Sequence, residues 1–284
     1  MKHLIAIAAV MISGVAAAQT ISRKVVFKKD QKLEFKNSMK MNMTMELQGM
    51  PMEMVNTNSF TNLITVTDVN PTAFKFDNKT LRITADVQAP MQSMSYDSDK
   101  PEDANNEMGK AFGKRLNTIY HFATDKNGTI TESDDEEAAK AADMLGSFSG
   151  GVGESLNVVG SKLSIVANLP ARSLKTGDTW TDSLVDAKTN SRFLMNYKVE
   201  SILNNEAKIS FGGTMDRSGA IEQQGFSMNM DIKALLKGDY TFDTATGLLR
   251  NRKMNMDGSG KMEMAGQEIP FKLKADSDML LNHK

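Results

Sequence analysis

Polar and apolar residues alternate one by one between positions 32 and 48. The even positions are polar, whereas the odd positions are mainly apolar and include Met39, Met41, Met43 and Met45. A period of two places the apolar side chains on one face of a β-strand. Methionine is an unusual choice there because β-propensity favours Val and Ile. The pattern therefore predicts a long strand whose buried face is rich in methionine.

The same alternation resumes after a break at Gly49-Met50-Pro51, with Met52, Met54 and Phe60 on one face. A Gly-Pro break between two alternating runs is typical of a β-hairpin. A third strand is expected over residues 73–87.

The phase of the apolar residues changes within that third strand. Phe74 and Phe76 lie one position out of step with Leu81 and the apolar residues that follow it. An extra residue in one strand shifts the phase in this way. We therefore expect a β-bulge near residues 77–78.

The middle of the chain predicts helices. Pro101 suits the first turn of a short helix. Ser133 and Glu136 form a capping box, and an alanine-rich apolar stripe follows up to Phe148. We expect a helical insert over residues 133–158 that could cover the methionine face.

The β pattern returns in the second half of the chain. Strands are expected around residues 181–187, 192–203, 207–215, 237–242, 248–256 and 261–275. Two short motifs repeat: Lys40–Met43 recurs as Lys253–Met256, and Met45-Glu46-Leu47 resembles Met262-Glu263-Met264. This repetition favours two similar β halves, although methionine-rich patterning alone could also produce it.

The predicted fold is therefore mainly β, with one long-stranded antiparallel sheet curved into a half-barrel or barrel. A single β-rich domain would cover residues 19–284, because all-β units of ~200–250 residues are common. Its first half would span residues 24–132 and its second half residues 160–282, with the helical insert between them.

Residues 1–18 have the layout of a signal peptide. Lys2 and His3 give a basic start, an apolar segment runs to Val15, and Ala16-Ala17-Ala18 fits a cleavage site. The apolar segment falls short of the ~20 residues that cross a membrane, and no later segment approaches that length. We expect an exported protein, periplasmic or secreted, with no transmembrane segment.

The composition excludes several kinds of site. The sequence has no cysteine, and 34 Lys and Arg residues balance 35 Asp and Glu residues, for a formal charge of −1. Disulfides, thiolate metal sites and cysteine nucleophiles are therefore excluded. Such a charge balance offers no electrostatic footprint for nucleic acid.

Catalytic motifs are also missing from the sequence. Beyond the signal segment only His121 and His283 remain, and no G-x-S-x-G elbow is present. The run Gly258–Lys261 lacks the spacing of a phosphate-binding loop. We expect a protein that is not an enzyme and that needs no cofactor.

Two metal hypotheses arise from the residues. Asp125, Asn127 and Gly128 resemble part of a calcium loop but lack its terminal glutamate, so a hairpin turn is the better interpretation. Thioethers are soft ligands suited to Cu(I), and the alternate methionines recur at ~6.8 Å steps along one face. Copper binding is therefore an alternative function.

The favoured hypothesis is an apolar ligand, such as a lipid or acyl chain, held by a methionine-lined interior. Methionine repacks around varied apolar partners. A structural or interaction protein of the cell envelope with a closed core would show the same pattern, so both interpretations stay open, as does the oligomeric state. The candidate ligand-binding residues are Met39, Met41, Met43, Met45, Met52, Met54, Phe60, Met254, Met256, Met262 and Met264.

Several short motifs resemble those of one family. They are Tyr96-Asp97-Ser98, Leu169-Pro170, Gly177–Trp180, Tyr240–Asp243 and Thr246–Leu248. Together they resemble a family of uncharacterised exported β-rich proteins of Bacteroidetes-like bacteria, which implies no specific activity and no site residues. The long curved strands with inserted helices are also similar to periplasmic half-barrel carriers of lipoproteins and lipids.

Overall fold

The structure is a computed structural model that describes residues 19–284 except 48, 91, 117, 136–158, 187–189, 224–225 and 265. Long β-strands account for most of it. The strands are β1 (Thr20–Ile21), β2 (Lys32–Leu47), β3 (Met50–Val69), β4 (Ala73–Ala89), β5 (Gln92–Asp97), β6 (Ile119–Asp125), β7 (Ile130–Ser133), β8 (Leu174–Lys175), β9 (Thr179–Asp186), β10 (Ser191–Leu203), β11 (Glu206–Gln223), β12 (Phe226–Asp243), β13 (Leu249–Met264) and β14 (Gln267–His283).

One antiparallel sheet of twelve strands dominates the fold. Its order is β7-β6-β4-β3-β2-β14-β13-β12-β11-β10-β9, with β5 paired to β4 beside β6. The sheet does not close into a barrel. Strands β1 and β8 form a separate two-stranded sheet. The prediction of a curved, mainly β fold is confirmed. Of the half-barrel and the closed barrel that were both expected, the open form is observed.

The helical predictions have mixed outcomes. A short 3-10 helix at Pro101–Asn105 and helix α1 at Glu107–Phe112 confirm the helix expected after Pro101. Ser133 instead ends β7, and its hydroxyl accepts a hydrogen bond from the Asp135 amide at 3.2 Å. The remainder of the predicted insert lies outside the described residues.

The phase change in β4 occurs later than predicted. Pairing between β3 and β4 shifts between Thr61 and Asn62, opposite Leu81, which is 41% exposed. Residues 77–78 are in regular pairing, and a second shift, between Val66 and Asp68, lies opposite Phe76 and Lys75, so the bulge expected near residues 77–78 lies a few residues from each observed shift. The sequence pattern located the change in phase but did not identify the residue that bulges out.

The sheet has one apolar and one polar face. In β14 the odd positions from Ile269 to Leu281 are buried and the even positions are mostly exposed. Near the β2 start, the apolar face packs against the chain segments that carry Phe27 and Leu163. Near the β2–β3 turn, it consists of methionine, leucine, isoleucine and phenylalanine.

The two repeated motifs form neighbouring hairpins. Leu47 pairs with Met50, and Met264 pairs with Gln267, so each hairpin turns through two residues. The glycine of each turn, Gly49 or Gly266, has a positive φ, 78° or 75°. Two-residue turns of this kind match the twist of antiparallel strands. Because β14 pairs with β2, the hairpins lie side by side.

Glycine permits the close approach of strands on the apolar face. A Cβ added to Gly213 would overlap the Leu194 carbonyl oxygen and lie 2.7 Å from the Met195 sulfur. Its chain neighbour Gly212 points to the other face, where a Cβ would meet only the Leu236 carbonyl oxygen at 3.5 Å. A side chain is therefore tolerated at Gly212 but not at Gly213.

We expect Gly213→Ala to lower the free energy of unfolding by about 1–3 kcal/mol, because the added methyl group overpacks the sheet. Gly212→Ala is the matched control and should change it by less than about 0.5 kcal/mol. Urea unfolding monitored by circular dichroism measures both. Equal losses in the two variants would contradict the assigned faces.

Candidate functional site

The apolar face at the β2–β3 end is a continuous methionine surface. Its central members are almost fully buried, with Met41 0%, Met43 4%, Met256 3% and Met262 7% exposed. Met45, Met54 and Met254 are half-buried and pack against the same cluster. We call this set, with the residues that contact it, the methionine face.

The remaining candidate residues lie outside that cluster. Met39 is buried at 6% exposure and Met52 is half-buried on the same side of the sheet. Phe60 instead packs in a separate cluster with Ile83 and Phe112. Only the backbone of Met264 is described. The structure therefore brings together most, but not all, of the predicted residues.

Strands β10–β12 contribute residues that the sequence analysis did not select. Met215 and Met230 are buried in the methionine face at 1% and 5% exposure, and Met195 packs against it half-buried. The alternation of apolar residues in these strands was a usable signal. The sheet order that joins these strands to β2 and β13, however, is not visible in the spacing.

The methionine face is closed in its centre and more open at its margins. At one margin Leu184 of β9 is 61% exposed beside half-buried Phe193 of β10. At the other, Met52 and Met54 of β3 are half-buried. An apolar molecule would therefore first meet the sheet at these margins.

Two arginines share the apolar face. Arg252 lies opposite Tyr240 and Met279, and burial lowers the pKa of its guanidinium to about 10. Arg217 lies opposite Ile232 and is 8% exposed. Burial also raises the pKa of Tyr240 well above its ordinary value, and its hydroxyl donates to the Asn168 carbonyl at 3.0 Å. The apolar face thus includes two arginine side chains.

A recess of about 1080 Å³ lies across the strands near the same end of the sheet. Its lining combines exposed side chains of the polar face with Met45, Ile232 and Phe271 of the methionine face. Its charged side chains would suit a polar molecule better than an acyl chain. These are Glu46, Arg192, Asp216, Arg217, Asp231, Lys233, Lys261 and Lys272.

The candidate hydrolytic and calcium residues have structural partners. The His121 side chain is 65% exposed, and its Nδ1 lies 2.8 Å from Asp77. Asp125 accepts backbone hydrogen bonds from Asn127 and Thr129, both at 2.8 Å, as the predicted turn requires. Burial acts to raise the pKa of Asp125, but these hydrogen bonds lower it below its ordinary value.

The acidic residues before the first helix are also engaged. Arg82 forms ion pairs with Asp97 at 3.0 Å and Asp99 at 2.9 Å. Across the described residues, His, Asp and Glu side chains nowhere gather in threes in an arrangement that could hold a metal ion.

Comparison with known proteins gives one family match. The model of a family of unknown function, DUF6263, matches residues 72–249. The chain belongs to this family. The match supports the resemblance to a family without an assigned activity, whereas export and a Bacteroidetes-like origin stay predictions. No curated protein sequence matches the chain.

Solved structures give a likeness in fold. A lipovitellin structure concerned with lipid–protein interactions aligns with a TM-score of 0.51 and 9% identity, covering 90% of this chain. The DUF6263 chain spans only 25% of that structure. An identity this low shows a shared fold alone, here that of a large curved sheet.

Two bacterial channels align less well. The COG4313 outer membrane channel of Pseudomonas putida F1 has a TM-score of 0.26 and 8% identity, covering 91% of this chain and 98% of the channel. Pseudomonas aeruginosa OccK5 (OpdH) has a TM-score of 0.23 and 10% identity, covering 89% and 98%. Within the part of the chain that the structure describes, no helix has the length and apolar character to cross a membrane.

Methionine oxidation should report on the packing of the methionine face. Under mild hydrogen peroxide, Met50, which is 62% exposed, should form sulfoxide first, and Met41 and Met215 last. Met45 and Met54 should react at intermediate rates. Peptide mass spectrometry measures each site. Oxidation of Met41 as fast as that of Met50 would contradict the closed centre.

Proposed function

We propose that this protein is an exported, non-enzymatic binding or carrier protein for an apolar ligand, such as a lipid or acyl chain. The methionine face is the binding surface. The observation that supports this proposal is an open sheet whose continuous apolar face stays partly accessible at both margins.

The chemistry of methionine suits such a surface. Its unbranched side chain has three rotatable bonds and fills irregular spaces, so the face can repack when a ligand enters. Each buried methylene group of an acyl chain contributes ~0.8 kcal/mol, so partial insertion beside Met54 at one margin or Met195 at the other would already favour binding. The ligand would enter at a margin and displace side chains toward the centre.

The fold likeness agrees with this proposal by analogy. The lipovitellin structure concerns lipid–protein interactions, and its alignment covers 90% of this chain. Function does not follow from fold, so the argument depends on the residues of the methionine face themselves.

A second candidate function is supported by the burial of the centre. Met41 and Met215 are 0% and 1% exposed, as in a well-packed core. On this alternative the protein is a structural or interaction protein of the cell envelope, and the methionine face only stabilises the fold. The two candidates differ in whether the purified protein retains an apolar molecule.

Native mass spectrometry of protein purified from the periplasm of expressing cells tests the proposal. We expect a population heavier than the polypeptide, and solvent extraction should release a lipid or fatty acid. Met54→Gln combined with Met195→Gln should reduce this population severalfold, because both substitutions place polar groups at the margins. Met50→Gln, on the exposed turn, is the control and should not.

The bare polypeptide mass alone, in repeated preparations and after incubation with oleate or phospholipid, would favour the closed-core alternative. Absence of the protein from the periplasm would contradict the export that we propose. Circular dichroism of the double variant excludes unfolding as the cause of a lost complex.

A further inference from the structure

The β2–β3 hairpin places four methionines in a square on one face of the sheet. Met43 pairs directly with Met54, and Met45 pairs directly with Met52. Directly opposite residues have Cβ atoms about 4.5–5.5 Å apart, and residues two apart on one strand are separated by ~6.8 Å. Four thioether groups therefore project side by side. We call these residues the methionine quartet.

We propose that the methionine quartet binds one soft monovalent metal ion, Cu(I) or Ag(I). Thioether sulfur is a soft, uncharged ligand that selects such ions over Mg²⁺ or Ca²⁺. The flexible side chains can bring three or four sulfurs onto one ion without movement of the backbone. The ion binds in its monovalent state, so no electron transfer is involved.

The surroundings of the quartet favour a soft ion over a hard one. Across the sheet, Met45 lies beside Phe271 and Met43 beside Leu273, both apolar. The carboxylates of Glu46 and Glu53 alternate with the quartet and point to the polar face. No oxygen ligand therefore competes with sulfur from these positions, and a hard cation would lose its water without compensation.

The burial of the quartet suits an ion that enters from solvent. Met43 is anchored in the methionine face at 4% exposure, whereas Met45, Met52 and Met54 are half-buried. An ion can therefore reach the sulfurs near the Gly49 turn and then lose most of its contact with water. One buried methionine beside three half-buried ones is expected of a binding site and is not needed for a closed core.

Met254 and Met256 of the same face lack this arrangement, because they lie opposite Ser277 and Ala275. They share the face, the strand setting and the residue type with the quartet but not its geometry. They therefore provide matched controls.

Anaerobic titration with Cu(I), in competition with a chromophoric Cu(I) chelator, tests the proposal, and Ag(I) with native mass spectrometry gives the stoichiometry. The wild-type chain should bind one ion. Replacing all four quartet methionines by leucine keeps volume and hydrophobicity. Loss of outer partners of metal ligands typically costs about 10–100-fold in affinity, so loss of the ligands themselves should cost at least as much.

Met254→Leu combined with Met256→Leu is the control and should leave the affinity unchanged. Wild-type binding no tighter than micromolar, or equal losses in quartet and control variants, would overturn the proposal. If the quadruple variant fails to fold, Met45→Leu with Met52→Leu at the half-buried edge replaces it. Bound Ag(I), which does not undergo the redox reaction of Cu(I) with peroxide, should also slow peroxide oxidation of Met52 and Met54 but not that of Met50.

The metal site is independent of the apolar ligand. Leucine substitution removes the thioethers that the metal site needs, whereas the apolar ligand is tested on the wild-type chain. A wild-type protein that binds Cu(I) but carries no lipid would overturn only the proposed carrier function. A wild-type protein that carries lipid but binds no Cu(I) would overturn only the metal site.

Discussion

The backbone pairing of β14 with β2 is the constraint on which the rest of the sheet depends. It joins the first long strand to the last one, from the Leu33–His283 pair to the Met45–Phe271 pair. Without it the strands before the central insert and those after it would form two separate sheets, each with an exposed edge in the middle of the methionine face. Because this contact spans nearly the whole chain, the loop-closure entropy must be overcome before the sheet is complete, which predicts slow folding.

Much of the fold followed from residue spacing alone. Alternation located the long strands, and Gly49 marked the first hairpin, because a period of two and a turn residue with positive φ are local properties. The placement of the bulge in β4 was wrong. The apolar alternation shows that the phase changes along the strand, but it does not identify the residue that is left out of the pairing. The order of strands was beyond the sequence, since nothing in the spacing around Met45 identifies Phe271 as its neighbour.

The candidate site, like the fold, could be predicted from the residue spacing only in part. The sequence identified most of the methionines that share a face, because alternation fixes which side chains lie on one side of a strand. It missed Met195 and Met215, whose importance depends on strands that meet only through the sheet order. It could not separate a closed centre from accessible margins either, because burial depends on what lies across a residue. The direct Met43–Met54 and Met45–Met52 pairs emerged only with the register of the β2–β3 hairpin.

The open sheet has a further consequence at its edge. Among the described residues, strand β9 pairs on one side only, with β10, so its outer N–H and C=O groups present a ready template for another strand. Leu184 and Val185, exposed at 61% and 65%, give that edge apolar character on both faces, while Asp182 supplies a charge that opposes the approach of an identical strand. Self-association through this edge is thus held back by electrostatic repulsion, and raised salt concentration, which screens that repulsion, favours it.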